Sequence, residues 1–253
     1  MKKLLSMAFC AAAAATCVAD DITLGYEIGV TKVTIPAGQT SVILASSFKE
    51  LATENEDICI SNIVKTTNLT AGDKILLYSG TRNTYSAWIL DDNKIWKPTT
   101  DFVLNADGTS TQTTGLSADK QKVSRGTGLF LVLNAAKKDA FDVYLYGKYT
   151  NEAATPTIKD NDWNLIGNSS LEQMTLSAKE GDQVVLVKDG NPRTYMCETV
   201  DSEAKWYYET TEVTTLPSGK KVSKKVKHVE DPTLNAGEGC WKFATSSTDS
   251  TQD

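Results

Sequence analysis

The sequence has a single histidine, His228, and no Cys-x-x-Cys spacing among its five cysteines. A catalytic triad, or a zinc site built from histidine and cysteine, needs an imidazole held by partners in a shielded position. His228 instead follows a lysine-rich run, residues 220–227, and we interpret it as a solvated side chain. The sequence therefore predicts no catalytic residue, no metal site and no cofactor.

Long hydrophobic runs are also scarce. The longest, Leu4 to Ala15, is shorter than the ~20 residues that a membrane-spanning helix needs. It follows Lys2-Lys3 and precedes the small-residue segment Thr16 to Ala19, which is typical of a bacterial export signal. We expect a signal peptide over residues 1–19, no transmembrane anchor, and a mature chain that is secreted, periplasmic or on the cell surface.

Basic residues are outnumbered by acidic ones. The chain has 26 Lys and Arg against 32 Asp and Glu, a formal charge of −6. Removal of Lys2 and Lys3 with the signal peptide leaves 24 against 32, or −8. Proteins that bind nucleic acid neutralise phosphates with basic side chains, so nucleic acid is excluded as the expected partner.

Two halves of the chain carry the same landmarks in the same order. In each half a Gly-Asp pair is followed by a tyrosine after 13 or 14 residues, a tryptophan 11 residues later, and a Gly-x-Gly motif after 30 or 31 more. Spacing this regular predicts an internal duplication. The matched landmarks are Gly72-Asp73 with Gly181-Asp182, Tyr85 with Tyr195, Trp96 with Trp206, Gly126–Gly128 with Gly237–Gly239, and Ser41–Ser47 with Trp163–Ser169.

Short runs rich in Val, Ile, Leu, Tyr and Trp, separated by Gly, Asp, Asn and Ser, predict strands joined by turns. One further hairpin, Thr210 to Val229, is polar on both faces and is expected to project into solvent. Helix is predicted only near Ile60 to Thr67, with Asp57 as its N-cap, and near Leu171 to Ala178. The predicted fold class is all-β: two diverged copies of a small antiparallel β module, sandwich or barrel-like, with at most short helices.

The predicted domain boundaries follow from the landmarks and from the breaks in composition. Residues 1–19 form the signal peptide, 20–150 the first β module, 151–162 a linker that contains Pro156, 163–245 the second β module, and 246–253 a disordered tail.

Three cysteines lie beyond the predicted cleavage site, Cys59, Cys197 and Cys240. The repeat alignment places Cys197 at the position of Ala87 and Cys240 at that of Leu129, both apolar, so both thiols are expected to point into the second module. An exported protein can hold a disulfide, and Cys197 with Cys240 is the candidate pair. Two buried, inert thiols are the alternative.

The aromatic residues divide into matched and unmatched ones. Side chains matched in both halves are interpreted as core: Tyr85 with Tyr195, Trp96 with Trp206, and Phe130 with Trp241. Unmatched side chains are candidates for ligand contact: Trp88, Trp163, Tyr144 and Tyr146. Alternation along Phe141 to Tyr146 turns both of these tyrosines away from the apolar face. There they either form an exposed stacking surface or are covered by a second sheet.

The opening Trp-Asn-Leu-Ile-Gly-Asn, from Trp163, and the closing Ala-Gly-Glu-Gly-Cys-Trp, ending at Trp241, carry a resemblance. They resemble a module of uncharacterised secreted bacterial proteins, in which an aromatic-N-L-I-x-N opening and an A-G-x-G-[FW]-W closing bracket a β-rich repeat. The resemblance implies an envelope or extracellular location and carries no assigned catalytic residues.

Two functions are weighed on this basis. The favoured one is an exported non-catalytic surface or extracellular protein, binding or structural, whose partner is an extracellular glycan or envelope component. The alternative is an exported carboxylate-dependent hydrolase that acts on a cell-surface polymer, for which a cleft between the modules with two carboxylates of raised pKa would be the mark.

Overall fold

The computed structural model describes residues 28–51, 57–63, 68–79, 84–104, 110–114, 116–150, 152, 154–188 and 191–246. The predicted signal peptide and all but the first residue of the predicted tail lie outside the described residues. The elements in chain order are β1 (Ile28–Ile35), β2 (Ser41–Ala45), β3 (Ile58–Cys59), α1 (Ile60–Ile63), β4 (Lys74–Ser79), β5 (Thr84–Leu90), β6 (Trp96–Pro98), β7 (Thr100–Leu104), β8 (Ser110–Thr114), β9 (Lys122–Val123), β10 (Gly128–Val132), β11 (Phe141–Lys148), β12 (Asp162–Gly167), β13 (Met174–Thr175), β14 (Gln183–Lys188), β15 (Asn191–Val200), β16 (Glu203–Thr215), β17 (Lys221–Val229), β18 (Thr233–Leu234) and β19 (Gly239–Ala244).

Two open antiparallel sheets make up most of the fold. The first has five strands in the order β2-β10-β4-β5-β6, and the second has six in the order β12-β19-β14-β15-β16-β17. The described strands form several antiparallel sheets, none of them closed on itself, so the all-β prediction is confirmed. Within the described ranges, no helix is long and apolar enough to span a membrane.

The two sheets share strand order and register. Phe130 of β10 lies opposite Leu76 of β4, and Trp241 of β19 lies opposite Val185 of β14. Each of these partners stands three residues after the aspartate of its Gly-Asp pair. Such agreement is what a duplicated module would show, and a common origin of the halves stays a prediction.

One landmark of the sequence alignment is displaced in the structure. Trp88 lies opposite Ile75, and Tyr195 lies opposite Val184 at the same place in the second sheet. The position that corresponds to Tyr195 is therefore that of Trp88, and the predicted match with Tyr85 is wrong. The reason is the turn length, since four residues connect β4 to β5 whereas two connect β14 to β15.

The Gly-Asp landmark has a physical role that is the same in both halves. The glycine has a positive φ, 91° in the first half and 82° in the second, which favours glycine. The aspartates that follow, Asp73 and Asp182, are buried, and their carboxylates accept the backbone N–H of Asn134 and Thr245, each at 2.8 Å. Each carboxylate therefore holds in place the segment that follows the neighbouring strand, which is β10 in the first half and β19 in the second.

A buried apolar cluster lies in each half. The cluster of the first half includes Trp88, Trp96, Ile75, Leu129 and Leu131, together with Val33, Ile35, Val143 and Leu145 from the two-stranded sheet β1–β11. The cluster of the second half includes Trp206, Tyr195, Val184, Leu186, Cys197 and Cys240. Burial of one large apolar side chain stabilises the fold by about 1.5–3 kcal/mol.

The two sheets meet through equivalent contacts. A β-bridge joins Leu44 of the first half to Glu238 of the second, and another joins Ile166 of the second half to Thr127 of the first. Leu44 and Ile166 occupy the same position in β2 and β12, so the junction has an approximate two-fold arrangement of contacts.

The Gly-x-Gly motifs lie at this junction. The first glycine of each has φ near 80°, so the predicted tight turn is confirmed. The second, Gly128 or Gly239, leaves no room for a side chain, because a Cβ there would lie 2.9 or 2.8 Å from the carbonyl oxygen of Ile166. The motif therefore combines a left-handed turn with a close approach of two backbones.

Two predicted helices differ from the structure. The described helix α1 has four residues, and Asp57 does not cap it, because β3 intervenes and the Asp57 carboxylate accepts the Ser124 hydroxyl instead. The second predicted helix is wrong, since Met174 and Thr175 form β13 and pair with β18. A periodicity this short is easily overridden by a nearby strand.

Candidate functional site

Trp88 was predicted to contact a ligand, and the structure contradicts this. The side chain is fully buried in the first core, where its indole N–H donates to the carbonyl oxygen of Leu116 at 2.9 Å. The register explains the difference, because Trp88 lies opposite Ile75 on the core face of the sheet. A change at Trp88 would therefore act on folding.

Trp163 lies at the start of β12, and 36% of its surface is exposed. It lies opposite Phe243 in the register, and the two rings are 5.6 Å apart between centroids. The ring of Trp241 meets it at a right angle, 6.4 Å away. These rings lie on the face of the second sheet that turns away from its core.

Rings of the first sheet continue this cluster across the junction. Tyr78 meets Trp241 edge to face, with centroids 5.0 Å apart, and Tyr85 lies 5.3 Å from Tyr78. Phe130 lies 6.1 Å from both Tyr85 and Trp241. We call the six rings the aromatic surface; they are Tyr78, Tyr85, Phe130, Trp163, Trp241 and Phe243.

Three members of the aromatic surface were predicted to be core residues. Tyr85, Phe130 and Trp241 are half-buried and take no part in either buried cluster. In β19 the buried side chains Cys240 and Lys242 alternate with the aromatic ones, so strand geometry turns the rings to the opposite face. The predicted core assignment is right only for Tyr195, Trp96 and Trp206, which are buried.

Tyr78 and Phe243 were missed by the sequence reasoning. The alternation Trp241-Lys242-Phe243 already puts two aromatic rings on one face of a strand, and Tyr78 stands two residues after Leu76, the partner of Phe130. Those spacings could have grouped the rings within each sheet. No local feature of the sequence indicates that rings of the first sheet contact rings of the second.

Polar groups flank the aromatic surface. Lys159 pairs with Asp162 at 2.7 Å, and the carboxylate of Asp162 also accepts the backbone N–H of Trp163 at 2.8 Å. The hydrogen bond from Lys159 holds the pKa of Asp162 below its usual value.

The pKa of the Tyr85 phenol is raised, mainly by burial and to a smaller extent by the neighbouring Tyr78. The phenol of Tyr85 therefore keeps its proton at neutral pH.

Tyr144 and Tyr146 lie on another surface, the outer face of the β1–β11 sheet. Tyr144 is 42% exposed and lies opposite Lys32, and Tyr146 is half-buried and lies opposite Val30. Leu145, between the two tyrosines, is buried. The predicted alternation is confirmed, and no described sheet covers Tyr144 fully. A ligand contact at either tyrosine stays a prediction.

The predicted disulfide between Cys197 and Cys240 is absent. Both thiols are buried and are not joined in a disulfide. Cys197 aligns with Asp182, immediately before the intervening strand β14, and Cys240 aligns with Leu186 within that strand. Two strand spacings of about 4.8 Å and four residues of about 3.3 Å separate the cysteines, well beyond the ~7 Å limit between bonded Cα atoms.

The wrong disulfide prediction came partly from the sequence alignment of the two halves. Cys197 corresponds to Leu90 and not to Ala87, because each of the two lies opposite the buried tryptophan of its half. Burial raises the pKa of the Cys197 thiol and raises that of Cys240 to about 12. Both groups are neutral thiols at physiological pH.

A cleft of about 400 Å³ lies between the halves. Its lining includes Val33, Thr34, Leu186, Lys188, Asn235 and Glu238. Glu238 is the sole carboxylate among the described residues that line it. Nearby, Glu230 accepts hydrogen bonds from Lys188 at 2.5 Å and from the Tyr195 hydroxyl at 2.9 Å. The bond from Lys188 lowers the pKa of Glu230.

His228 is less exposed than predicted. Its ring stacks on Tyr208 with centroids 4.8 Å apart, and its Nε2 lies 2.8 Å from the Thr210 hydroxyl. The ring is therefore half-buried, with a stacking partner that the sequence did not predict. In the part of the chain that the structure describes, no three side chains of the His, Cys, Asp and Glu types are grouped so as to hold a metal ion.

Comparison with known proteins yields no match to a family model, a curated protein or a solved structure.

Proposed function

We propose that the protein is an exported, non-catalytic protein that binds an extracellular glycan or another envelope component through the aromatic surface. The observation that carries this proposal is the arrangement of six rings, drawn from both sheets, on faces that turn away from the cores. The core of either half does not require them there.

Stacking is the chemistry that such a surface offers. Aromatic faces take up the apolar faces of sugar rings or of peptide side chains, and each aromatic contact contributes about 0.5–1.5 kcal/mol. Trp163, at the exposed end of the cluster, is the ring best placed to meet a ligand. Phenol hydroxyls and the Lys159–Asp162 pair supply hydrogen bonds at the rim.

The alternative, a carboxylate-dependent hydrolase, has less support. Such an enzyme needs two carboxylates beside the scissile bond, one of them protonated through a raised pKa. The cleft between the halves is lined by Glu238 alone among described carboxylates, and the adjacent Glu230 has a lowered pKa. This arrangement favours binding over turnover.

The export part of the proposal rests on the sequence. Residues 1–19 have the charged start, short apolar run and small-residue end of a signal peptide. The resemblance of the Trp163 opening and the Trp241 closing to secreted bacterial repeat proteins points to the same compartments. Many copies on an envelope would convert modest affinity into avidity.

A binding assay with insoluble polysaccharides and purified cell walls tests the proposal. Residues 20–253 are compared with Trp163→Ala, with Tyr144→Ala plus Tyr146→Ala, and with Val229→Ala, which removes an exposed apolar side chain of β17 that belongs to neither surface. We expect wild-type chain and Val229→Ala to sediment with one of the polymers, and Trp163→Ala to bind about tenfold more weakly.

The other outcomes decide against the proposal in different ways. Loss of binding only in the double tyrosine variant would move the site to the β1–β11 face. Absence of binding to every polymer, or release of soluble sugars or peptides, would overturn non-catalytic binding. Circular dichroism of each variant checks that it is folded.

A further inference from the structure

The hairpin β16–β17 projects beyond the rest of the second sheet. Its strands pair with each other from Tyr207 with Val229 to Thr215 with Lys221, and every residue from Glu209 to Lys225 is exposed. This confirms the predicted projection into solvent. We define the hairpin tip as residues 213–224.

The hairpin tip is a basic region in an acidic chain. Residues 213–224 contain three lysines, Lys220, Lys221 and Lys224, and no acidic residue, whereas the chain has a formal charge of −6. Lysines nearer the body are already neutralised, because Lys225 pairs with Glu209 and Lys227 with Glu198. Among the described residues, no carboxylate lies within ion-pair distance of the three tip lysines, and Glu212, opposite Lys224 in the register, is the acidic residue nearest to them in the hairpin.

The hairpin tip also carries a few exposed apolar side chains, one on each face of the ribbon and one in the turn, because Val213 lies opposite Ser223 and Val222 lies opposite Thr214. Val213, Leu216 and Val222 are 56%, 41% and 43% exposed, and Pro217 follows Leu216 in the turn. Lysines on an edge strand discourage edge-to-edge pairing of sheets, which accounts for the charges but gives no reason for apolar side chains around them. Basic and apolar groups together are what an anionic membrane surface selects.

We propose that the hairpin tip docks on an anionic lipid bilayer. The side chains of Val213, Leu216 and Val222 enter the headgroup region, and the three lysines contact lipid phosphates. Each step from Glu209 to Leu216 advances about 3.3 Å, so the ribbon reaches roughly 23 Å from the body. That reach exceeds the Debye length of about 8 Å at physiological salt, which keeps the acidic body outside the repulsive field of the membrane.

Vesicle flotation with purified residues 20–253 tests this docking. Vesicles of phosphatidylcholine with about one third phosphatidylglycerol are compared with phosphatidylcholine alone. We expect binding only to the anionic vesicles. A basic residue near an anionic surface contributes about a fivefold gain in partitioning, so Lys220→Gln, Lys221→Gln and Lys224→Gln together should reduce it about 100-fold.

A matched variant controls for total charge. Lys74→Gln, Lys120→Gln and Lys138→Gln change the net charge equally at exposed sites elsewhere and should leave partitioning unchanged. Val213→Ser, Leu216→Ser and Val222→Ser keep the lysines and should reduce partitioning at least tenfold.

Three results would overturn the proposal. They are no binding to anionic vesicles, an equal loss in the control variant, and full binding by the serine variant with competition from soluble polyphosphate. The last would assign the hairpin tip to a soluble polyanion instead. Vesicles without glycan leave the aromatic surface unused, so the outcome is separate from that of the polysaccharide assay.

Discussion

Tyr78 of the first sheet meets Trp241 of the second edge to face, with ring centroids 5.0 Å apart at 74°. The contact joins the two sheets on the side opposite their cores, and it holds Trp241 between the rings of both halves. A binding surface built in this way depends on the junction, because neither sheet contributes all of its rings.

Tyr78 and Trp241 should therefore be coupled energetically. We expect the double-mutant cycle of Tyr78→Ala and Trp241→Ala to give an interaction energy of about 0.5–1.5 kcal/mol, the range for aromatic pairs. Urea unfolding of the four proteins measures it. Additivity of the two single changes would mean that the rings do not stabilise the junction.

The two unmatched tryptophans should respond differently to alanine. Trp88→Ala removes a fully buried side chain and should lower the free energy of unfolding by about 3–5 kcal/mol. Trp163→Ala should lower it by about 1 kcal/mol, since that ring is partly exposed and packs edge-on against Trp241 and Phe243 outside the buried clusters. Similar values for both would place Trp163 in a core.

The second glycine of the Gly-x-Gly motif should be intolerant of a side chain. In Gly128→Ala the new Cβ would lie 2.8 Å from the side chain of Leu165 and 2.9 Å from a backbone oxygen, so the backbone must shift. We expect a loss of more than about 2 kcal/mol of unfolding free energy. Gly38→Ala is the control, because it has open space around it and costs only the strain of a positive φ, about 1–2 kcal/mol. Equal losses would contradict the close approach.

Glu230 should make stability depend on pH in the acid range. Its pKa is lowered in the folded state, first by the hydrogen bond from Lys188, so the stabilisation is present above the ordinary value of 4.5 and is lost as pH falls through the lowered pKa. Glu230→Gln should cost roughly 1 kcal/mol at pH 7, a modest value because both side chains are about one third exposed. The difference from wild type should shrink in urea titrations as pH falls below 4.5 and through the lowered pKa. If the difference in unfolding free energy between wild type and Glu230→Gln stayed constant with pH, the charge of Glu230 would not contribute to stability.

In a protein of residues 20–253, the three cysteines Cys59, Cys197 and Cys240 should react as buried thiols that form no disulfide. We expect Ellman's reagent at pH 8 to label almost none in the folded protein and all three in denaturant. The raised pKa of Cys240, about 12, means that its contribution to stability is present below the ordinary thiol value of 9 and is lost as pH rises toward 12. A single reactive thiol after unfolding would reveal a disulfide.

Local pattern was sufficient for several elements. The alternation in β11 placed Val143 inside and Tyr144 outside, as observed. The four turn residues Leu216 to Gly219 located the projecting hairpin. Both results rest on short-range geometry, the period of two in a strand and the backbone preference of turn residues.

The candidate site was only partly predictable. Trp163 was identified because it had no match in the first half, but the same reasoning chose Trp88, whose true counterpart is Tyr195. The equal spacing from tyrosine to tryptophan in the two halves is a coincidence. It arises because the turns between equivalent strands differ in length in the two halves. The pairing of residues between strands identifies which positions are equivalent. Spacing along the sequence alone does not identify them.

The sequence by itself determined the all-β class, the glycine turns and the alternation of side chains along each strand, because these depend on neighbouring residues. Only the tertiary structure decided which face of β19 is the core face. Cys240 and Trp241 are both apolar, and burial follows from what packs above and below the sheet. It also decided that Cys197 and Cys240 lie too far apart to bond, since strand order and register join residues distant in the chain.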